Sequence, residues 1–309
     1  MVSRKKSDLG RGGKLFYWGM LAVPIICFIM FYIIINFNSI ILAFQDYWYD
    51  GGKIVRNFNN FQSFKNLFLD LRAGGKFKIL LGNSILYIGL LIVVVIPVTL
   101  LFAYYIYQKH LFYGFFKVFV FTPSVVCMMV LVIFYDGFVE YALASVFKPS
   151  TAFMSKKSTT LPFLIIFYVC CGFSSNLLIF LNAMSQISSS SIEAAKIDGA
   201  GELKIFLKIV IPSIWGTVVS MVVITFAAIG TEQGNVHAFL SIKPRILENY
   251  SRLQTIGYYI FTGVLDGNGN LYEPLFPKIS AFGLLITVVV TPITILCRNL
   301  LMKFGPSED

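Results

Sequence analysis

Ser190-Ser191-Ile192-Glu193-Ala194-Ala195-Lys196-Ile197-Asp198-Gly199-Ala200-Gly201-Glu202-Leu203-Lys204-Ile205-Phe206-Leu207-Lys208-Ile209-Val210-Ile211-Pro212 is the longest polar-rich, helix-like stretch of the chain, and it lies between two strongly apolar runs. Ser190-x-x-Glu193 has the spacing of a capping box, which predicts a helix start there. Glu193, Ala194, Ala195 and Lys196 are good helix formers. Gly199 and Gly201 interrupt, which predicts a turn between two short helices. In the second helix Leu203, Phe206, Leu207 and Val210 fall at i, i+3, i+4 and i+7, an apolar stripe, while Glu202, Lys204 and Lys208 lie off it. A helix–turn–helix between two apolar runs, partly polar and partly greasy, suits docking of a soluble partner.

Composition explains the flanking runs. Of 309 residues 57% are hydrophobic and 13% charged, and mean hydropathy is +0.77. Soluble domains average about 25% charged, so the chain reads as an all-α, polytopic membrane protein. The 31 Phe and 16% aromatic content fit lipid-facing surface and interfacial belts. The net charge of +10 does not point to nucleic acid, because the basic residues are scattered through short loops and an N-terminal arm. Cys27, Cys127, Cys170, Cys171 and Cys297 all sit in apolar runs without metal-ligand spacing and read as reduced packing residues. The first apolar run is too long for a signal peptide and lacks a small-residue cleavage pattern, so it is expected to stay as an anchor.

Six spans are expected, at about Phe16–Ala43, Ile79–Tyr107, Val118–Phe138, Leu161–Leu181, Ser213–Gly230 and Ile279–Leu301. Residues 1–15 form a basic arm and 16–309 the six-span body, with a loop at 184–213 on one side and loops at 46–78, 139–160 and 231–278 on the other. Total charge does not orient the chain. The dense arm (Arg4, Lys5, Lys6, Arg11, Lys14) and the short turn around Gln108-Lys109-His110 do, and they place both termini and the 184–213 loop in the cytoplasm of a plasma-membrane protein. Phe44–Tyr49 reads as an aromatic interface anchor. Phe58, Phe61, Phe64 and Phe68 recur at helical spacing and predict a short amphipathic helix. Pro24, Pro97, Pro123 and Pro292 fall inside spans, either as hinges or as ordinary membrane-helix prolines.

Catalytic chemistry is missing. No G-x-x-x-x-G-K-[ST] occurs; Gly10-Arg11-Gly12-Gly13-Lys14-Leu15 lacks the final hydroxyl. His110 and His237, the two histidines, stand in different loops, which argues against histidine catalysis or a metal site. Spans two, four and five carry no Asp, Glu, Lys, Arg or His in their interiors, which disfavours an ion-coupled secondary transporter. Neutral polar groups remain. Ser175 and Asn176 in span four, Ser220 and Thr225 in span five, and Thr231 and Glu232 at its outer end are candidates to line a substrate pathway. Donors and acceptors beside aromatic rings suit a polyol. The alternative role for each is packing between helices. Asp266-Gly267-Asn268-Gly269-Asn270 resembles the start of a calcium loop but lacks the downstream acid, and reads as a plain turn.

The central stretch resembles a known family. Glu193-Ala194-Ala195, Gly199 after three residues, and Ile209-x-Ile211-Pro212 after nine more match the E-A-A-x3-G-x9-I-x-L-P loop of ABC importer permeases, with Ile211 in place of leucine. Ile41-Leu42-Ala43-Phe44-Gln45-Asp46-Tyr47, Asn83-Ser84 and the Thr255–Tyr259 region are similar to the carbohydrate branch, particularly its oligo- and polysaccharide members. The resemblance implies a type I importer permease fold, and coupling helices that dock in a cleft of an ATPase subunit. Carried over onto matching positions, Glu193, Ala194, Ala195, Asp198, Gly199, Leu203, Phe206 and Pro212 would form that coupling loop, with Glu193 also able to cap its own helix. It further implies a second permease subunit in a heterodimer, two ATPase subunits holding ATP and Mg, and an extracytoplasmic substrate-binding protein. This chain itself is expected to be non-catalytic and to hold no cofactor. The imported solute is expected to be a sugar or oligosaccharide. The alternatives are another neutral solute, an ion-coupled carrier, or a membrane scaffold.

Overall fold

The computed structural model describes residues 11–50, 53–58, 61–73, 76–143, 145, 157–242, 253–265 and 270–306. The basic arm before residue 11, most of the 139–160 loop and the Asp266–Gly269 tip lie outside the described residues. In chain order the elements are α1 (Phe16–Ala43), strands β1 (Gln45–Asp50) and β2 (Lys53–Phe58), α2 (Gln62–Ala73), α3 (Phe77–Tyr107), α4 (Tyr113–Val125), α5 (Met128–Tyr141), α6 (Thr160–Met184), α7 (Ser189–Ile197), α8 (Glu202–Ser213), α9 (Trp215–Gly230), α10 (Val236–Ile242), α11 (Ile256–Thr262) and α12 (Glu273–Phe304).

Among the described residues α1, α3, α6 and α12 are each long and apolar enough to cross a membrane. The shortest, α6 with 25 residues, exceeds the roughly 20 that a bilayer needs. Spans three and five differ from the expected straight helices. The third is α4 and α5, bent by 109° at Val126–Cys127, and the fifth is α8 and α9, bent by 71° at Ile214. Counting each bent pair as one span gives six. Val126 is extended (φ −81°, ψ 138°) one turn after Pro123, so the first bend follows the ring that cannot donate to the helix ladder. Two other prolines act differently. The π-helical segments Leu91–Val95 and Phe206–Val210 each end two residues before a proline, Pro97 and Pro212. The missing amide frees a carbonyl one turn back, and a local π adjustment reassigns the bonds around it.

By contacts the chain forms two compact units, residues 1–69 with 264–284, and 70–263 with 285–309. In the first, β1 and β2 pair antiparallel from Gln45↔Phe58 to Asp50↔Lys53. Residues 45–50 are thus a strand rather than only an interface anchor. The phenylalanine stripe is also corrected. Phe58 lies on β2, and Phe58, Phe61 and Phe64 gather around the Phe44 ring at 6.4, 5.1 and 5.4 Å instead of lining one helix. The buried face of α2 is Ser63 and Leu67, while Phe68 is exposed.

The second unit holds two apolar cores. One joins Ile96, Leu100 and Ala103 of α3 to Leu177 and Phe180 of α6 and Val218 of α9. The other joins Val132 of α5, Phe167 of α6, Phe239 of α10 and Tyr258 of α11. Gly172 of α6 sits so close to the α3 π segment that a Cβ there would lie 3.2 Å from Leu91 and Val95 side chains. Small residues allow such close helix approach where lipid supplies no hydrophobic drive for packing. The five thiols are unpaired, and Cys27, Cys127 and Cys170 are exposed rather than packed in the core.

Candidate functional site

The 184–213 stretch folds as two short helices, α7 and α8, around a sharp turn. The first helix begins at Ser189, its cap two residues before the expected Ser190. Ser188 occupies the cap position without a side-chain cap bond, and its Oγ lies 2.6 Å from Ser190 Oγ. Gly199 takes φ +76°. Its N–H bonds to Lys196 C=O at 3.1 Å, and Ala200 N–H bonds to Ala195 C=O at 2.9 Å. These two bonds define a Schellman motif, whose left-handed residue is strained for anything but glycine.

The loop has two apolar faces. The inner one is Ile192, Ile205, Phe206 and Val210, all buried in the core with α3, α6 and α9. The expected stripe of Leu203, Phe206, Leu207 and Val210 is therefore half right. Leu203 and Leu207 face outward and Ile205 inward. Ile197, Leu203 and Leu207 form the outer set, exposed by 86%, 68% and 53%. Around them Glu193, Ala194, Asp198 and Gly199 are exposed, and Ala195 and Pro212 half-buried. Phe206 faces inward, its ring 4.9 Å from that of Tyr104. Beside the loop a 770 Å³ groove is lined by Asn182, Gln186, Ser188, Ser191, Lys208 and Thr217, among others.

Towards the opposite ends of α3 and α9 lies a second polar cluster. Glu232 Oε1 accepts the Gly234 N–H at 2.9 Å, and Glu232 C=O accepts the Thr255 hydroxyl at 2.8 Å. Asn83 donates to Gln254 C=O at 2.9 Å. Gly257 abuts the same corner: a Cβ there would sit 2.5 Å from Thr231 C and 2.6 Å from Glu232 O. Burial holds the Tyr258 hydroxyl above its ordinary range, so it stays neutral. Thr231 and Glu232 line a 360 Å³ cavity with Met128, Met129, Asn235 and His237.

The other pathway candidates are scattered. Ser220 donates to Gly216 C=O and Thr231 to Ala228 C=O, so both hydroxyls bond their own helix and keep only acceptor capacity. Asn176 and Thr225 are half-buried, and the side chain of Ser175 lies outside the described residues. Neither cavity includes Asn176, Ser220 or Thr225. Sequence reasoning passed over Tyr87 and Tyr168, whose rings meet edge-to-face at 4.9 Å and are buried between α3 and α6. A tyrosine in an apolar run carries no signal that tells a core ring from a site. Among the described residues no group of three or more His, Cys, Asp or Glu could hold a metal ion.

The family described as binding-protein-dependent transport system inner membrane component matches residues 95–303. A Mycoplasma genitalium protein named Probable ABC transporter permease protein MG188 is 28% identical over 225 residues, which cover 68% of this chain and 66% of that protein. The chain thus spans just under two thirds of that relative's length. Two solved structures share the fold at 17% identity. One is a bacterial ABC transporter involved in the import of the acidic polysaccharide alginate, with TM-score 0.70, covering 95% of this chain and 97% of that one. The other is a bacterial alginate ABC transporter in complex with alginate pentasaccharide-bound periplasmic protein, with TM-score 0.75, covering 95% and 96%. The matched region holds the whole Glu193–Pro212 loop, both apolar cores of the second unit and all helices from α4 to α11. The chain belongs to the inner-membrane components of binding-protein-dependent transport systems, a family of multi-pass, non-catalytic permease subunits.

Proposed function

We propose that this chain is one of two permease subunits of an ATP-driven importer for a sugar or oligosaccharide, with ATP and Mg held by partner ATPases and substrate delivered by an extracytoplasmic binding protein. The observation that carries the proposal is the two-faced loop. Ile197, Leu203 and Leu207 stand exposed at one end of a membrane bundle, while Ile205, Phe206 and Val210 are fixed in its core. A greasy outer face, rimmed by Glu193 and Asp198, suits a soluble partner. A buried inner face passes that partner's movement to α3, α6 and α9. On this reading the loop and both termini are cytoplasmic.

The carbohydrate assignment is supported by two things. Structural relatives are described with alginate, and the outer cavity offers Thr231, Asn235 and the Glu232 carboxylate beside apolar Met128 and Met129. Hydroxyl-rich substrates need such hydrogen-bonding groups next to apolar surface.

The test is ATPase activity of the purified complex in liposomes, with its binding protein, over a panel of neutral and acidic oligosaccharides. Stimulation by one sugar, lost on Gly199→Asp, is the expected result. Absence of a co-purifying ATPase, with uptake following an ion gradient, would overturn the reading.

A further inference from the structure

The short turn after α3 is tied to both docking helices by side chains that the family motif does not include. Gln108 sits at its centre. Its Nε2 donates to the Tyr104 hydroxyl at 2.9 Å, and its Oε1 accepts from Lys196 Nζ of α7 at 3.2 Å. The Tyr104 hydroxyl in turn donates to the backbone C=O of Glu202, the first residue of α8, at 3.3 Å. His110 Nε2 lies 3.0 Å from Glu202 Oε2. One corner of α3 therefore grips α7 through Lys196 and α8 through Glu202, on either side of the Gly199–Gly201 turn.

The corner is itself held in shape. Lys109 and Phe112 both take positive φ, 54° and 59°. Tyr105 bonds through its hydroxyl to Leu111 C=O, and its ring lies 5.1 Å from the His110 ring. Tyr104 is buried against Phe206. Tyr104 thus anchors the circuit in the core, whereas His110 and Glu202 are partly exposed, at 36% and 51%. An exposed pair of this kind adds little to stability. What such bonds act on is direction: they oppose rotation of α7 against α8 about the glycine turn.

We infer that Gln108 and His110 are positioning residues, which lock the two docking helices into one rigid body and couple that body to α3. This deepens the importer reading and rests on it for its role in transport. The bracing itself does not depend on that reading. With the bonds cut, the loop would still offer Ile197, Leu203 and Leu207 to a partner, but a push on it would be lost as rotation of one helix against the other.

The experiment compares wild type, Gln108→Ala/His110→Ala and the conservative His110→Gln. Hydrogen exchange of the permease alone, in lipid nanodiscs, is read over residues 189–210. The double variant should exchange there about threefold faster, the scale for losing weak exposed bonds at a locally opening segment. His110→Gln, which keeps a donor for Glu202, should exchange as wild type. Unchanged exchange in the double variant would overturn the bracing. In the assembled complex the double variant should retain its ATPase on purification yet lose most of the substrate-stimulated hydrolysis, with His110→Gln restoring it. Full stimulation in the double variant would overturn the coupling role. If no ATPase assembles even on the wild type, the importer reading fails, and the exchange result still decides the brace.

Discussion

Ser84 Oγ accepts the backbone N–H of Ile256 at 2.8 Å, across 172 positions of sequence, and both residues are buried. Asn83 bonds to Gln254 C=O beside it, and Thr255 bonds back to Glu232 C=O while its hydroxyl caps α11 by accepting from Tyr258 N–H. One short segment thus joins the start of α3 to the end of α9. Asn83-Ser84 and the Gln254–Ile256 segment, far apart in the sequence, meet in space.

Replacing Ser84 with alanine should leave the Ile256 amide buried without its acceptor. A stranded buried donor costs about 1–3 kcal/mol. Thermal unfolding in detergent should report the loss, and limited proteolysis should cut the 253–265 segment faster. A Ser84→Thr variant keeps the acceptor and should retain most of the stability.

Gly257 should tolerate no side chain. The atoms facing its Cβ position are the Thr231 and Glu232 backbone, at 2.5–2.7 Å, which cannot turn aside as a flexible side chain would. Gly257→Ala should lower the melting temperature or prevent folded expression. Gly89→Ala is the matched control, since nothing lies within 4 Å of its Cβ position and alanine is favoured over glycine in a helix by roughly 0.5–1 kcal/mol. Equal melting temperatures for the two variants would rule out the close approach.

Polar substitutions on the two faces of the docking loop should separate. Leu203→Asp and Ile197→Asp replace exposed side chains and should leave melting within about 0.5 kcal/mol of wild type. Pull-down of the ATPase should fall sharply. Ile205→Asp buries a charge in the core and should be strongly destabilising, by several kcal/mol. If the outer variants bound the ATPase as well as wild type, the exposed face would not be the contact.

The Tyr87 hydroxyl is buried and finds no hydrogen-bond partner among the described residues, and the ring itself is fully buried. Removing a polar atom that has no partner relieves a desolvation cost, so Tyr87→Phe should be neutral or stabilising. A drop of more than about 1 kcal/mol in unfolding free energy would mean that the hydroxyl has a partner after all, since that is the typical net worth of one hydrogen bond.

What could be read in the sequence followed from local rules. The glycine turn at 199, the two short helices and the long apolar spans each rest on spacing within a few residues. The hairpin at residues 45–58 was equally local, since Gly51-Gly52 separates two runs rich in aromatic and β-branched residues. Regular phenylalanine spacing hid it, because rings gathered around Phe44 mimic a helical stripe. The bends at Val126–Cys127 and Ile214 could not be read. Hydropathy records that a run is apolar and carries nothing about its direction. The docking loop's buried face failed for a related reason: a wheel drawn at 3.6 residues per turn cannot place side chains across the π segment at 206–210. The Gln108 and His110 contacts lay out of reach because they join residues 88 and 92 positions apart.

The π segment in α3 has a genetic consequence. Before it the buried residues are Leu80, Ser84, Tyr87 and Ile88, and from its last residue onward Val95, Ile96, Thr99, Leu100, Ala103, Tyr104 and Ile106. From the Tyr87–Ile88 pair to the Val95–Ile96 pair the step is eight residues, against about 7.2 for two turns of ideal helix. Leu91–Val95 thus behaves as one residue inserted into an otherwise regular span. Deleting Val93, whose side chain is exposed, would leave seven residues, about 700° of ordinary helix, between the two pairs, so the faces before and after would stay within about 20° of alignment. Tyr104, Gln108 and His110 would then still face Lys196 and Glu202, drawn about 1.5 Å nearer the start of α3. Reading-frame-preserving losses of a single codon are seldom harmless inside a membrane span; here the wide turn would absorb one, whereas a second would turn the rest of α3 by about 100°.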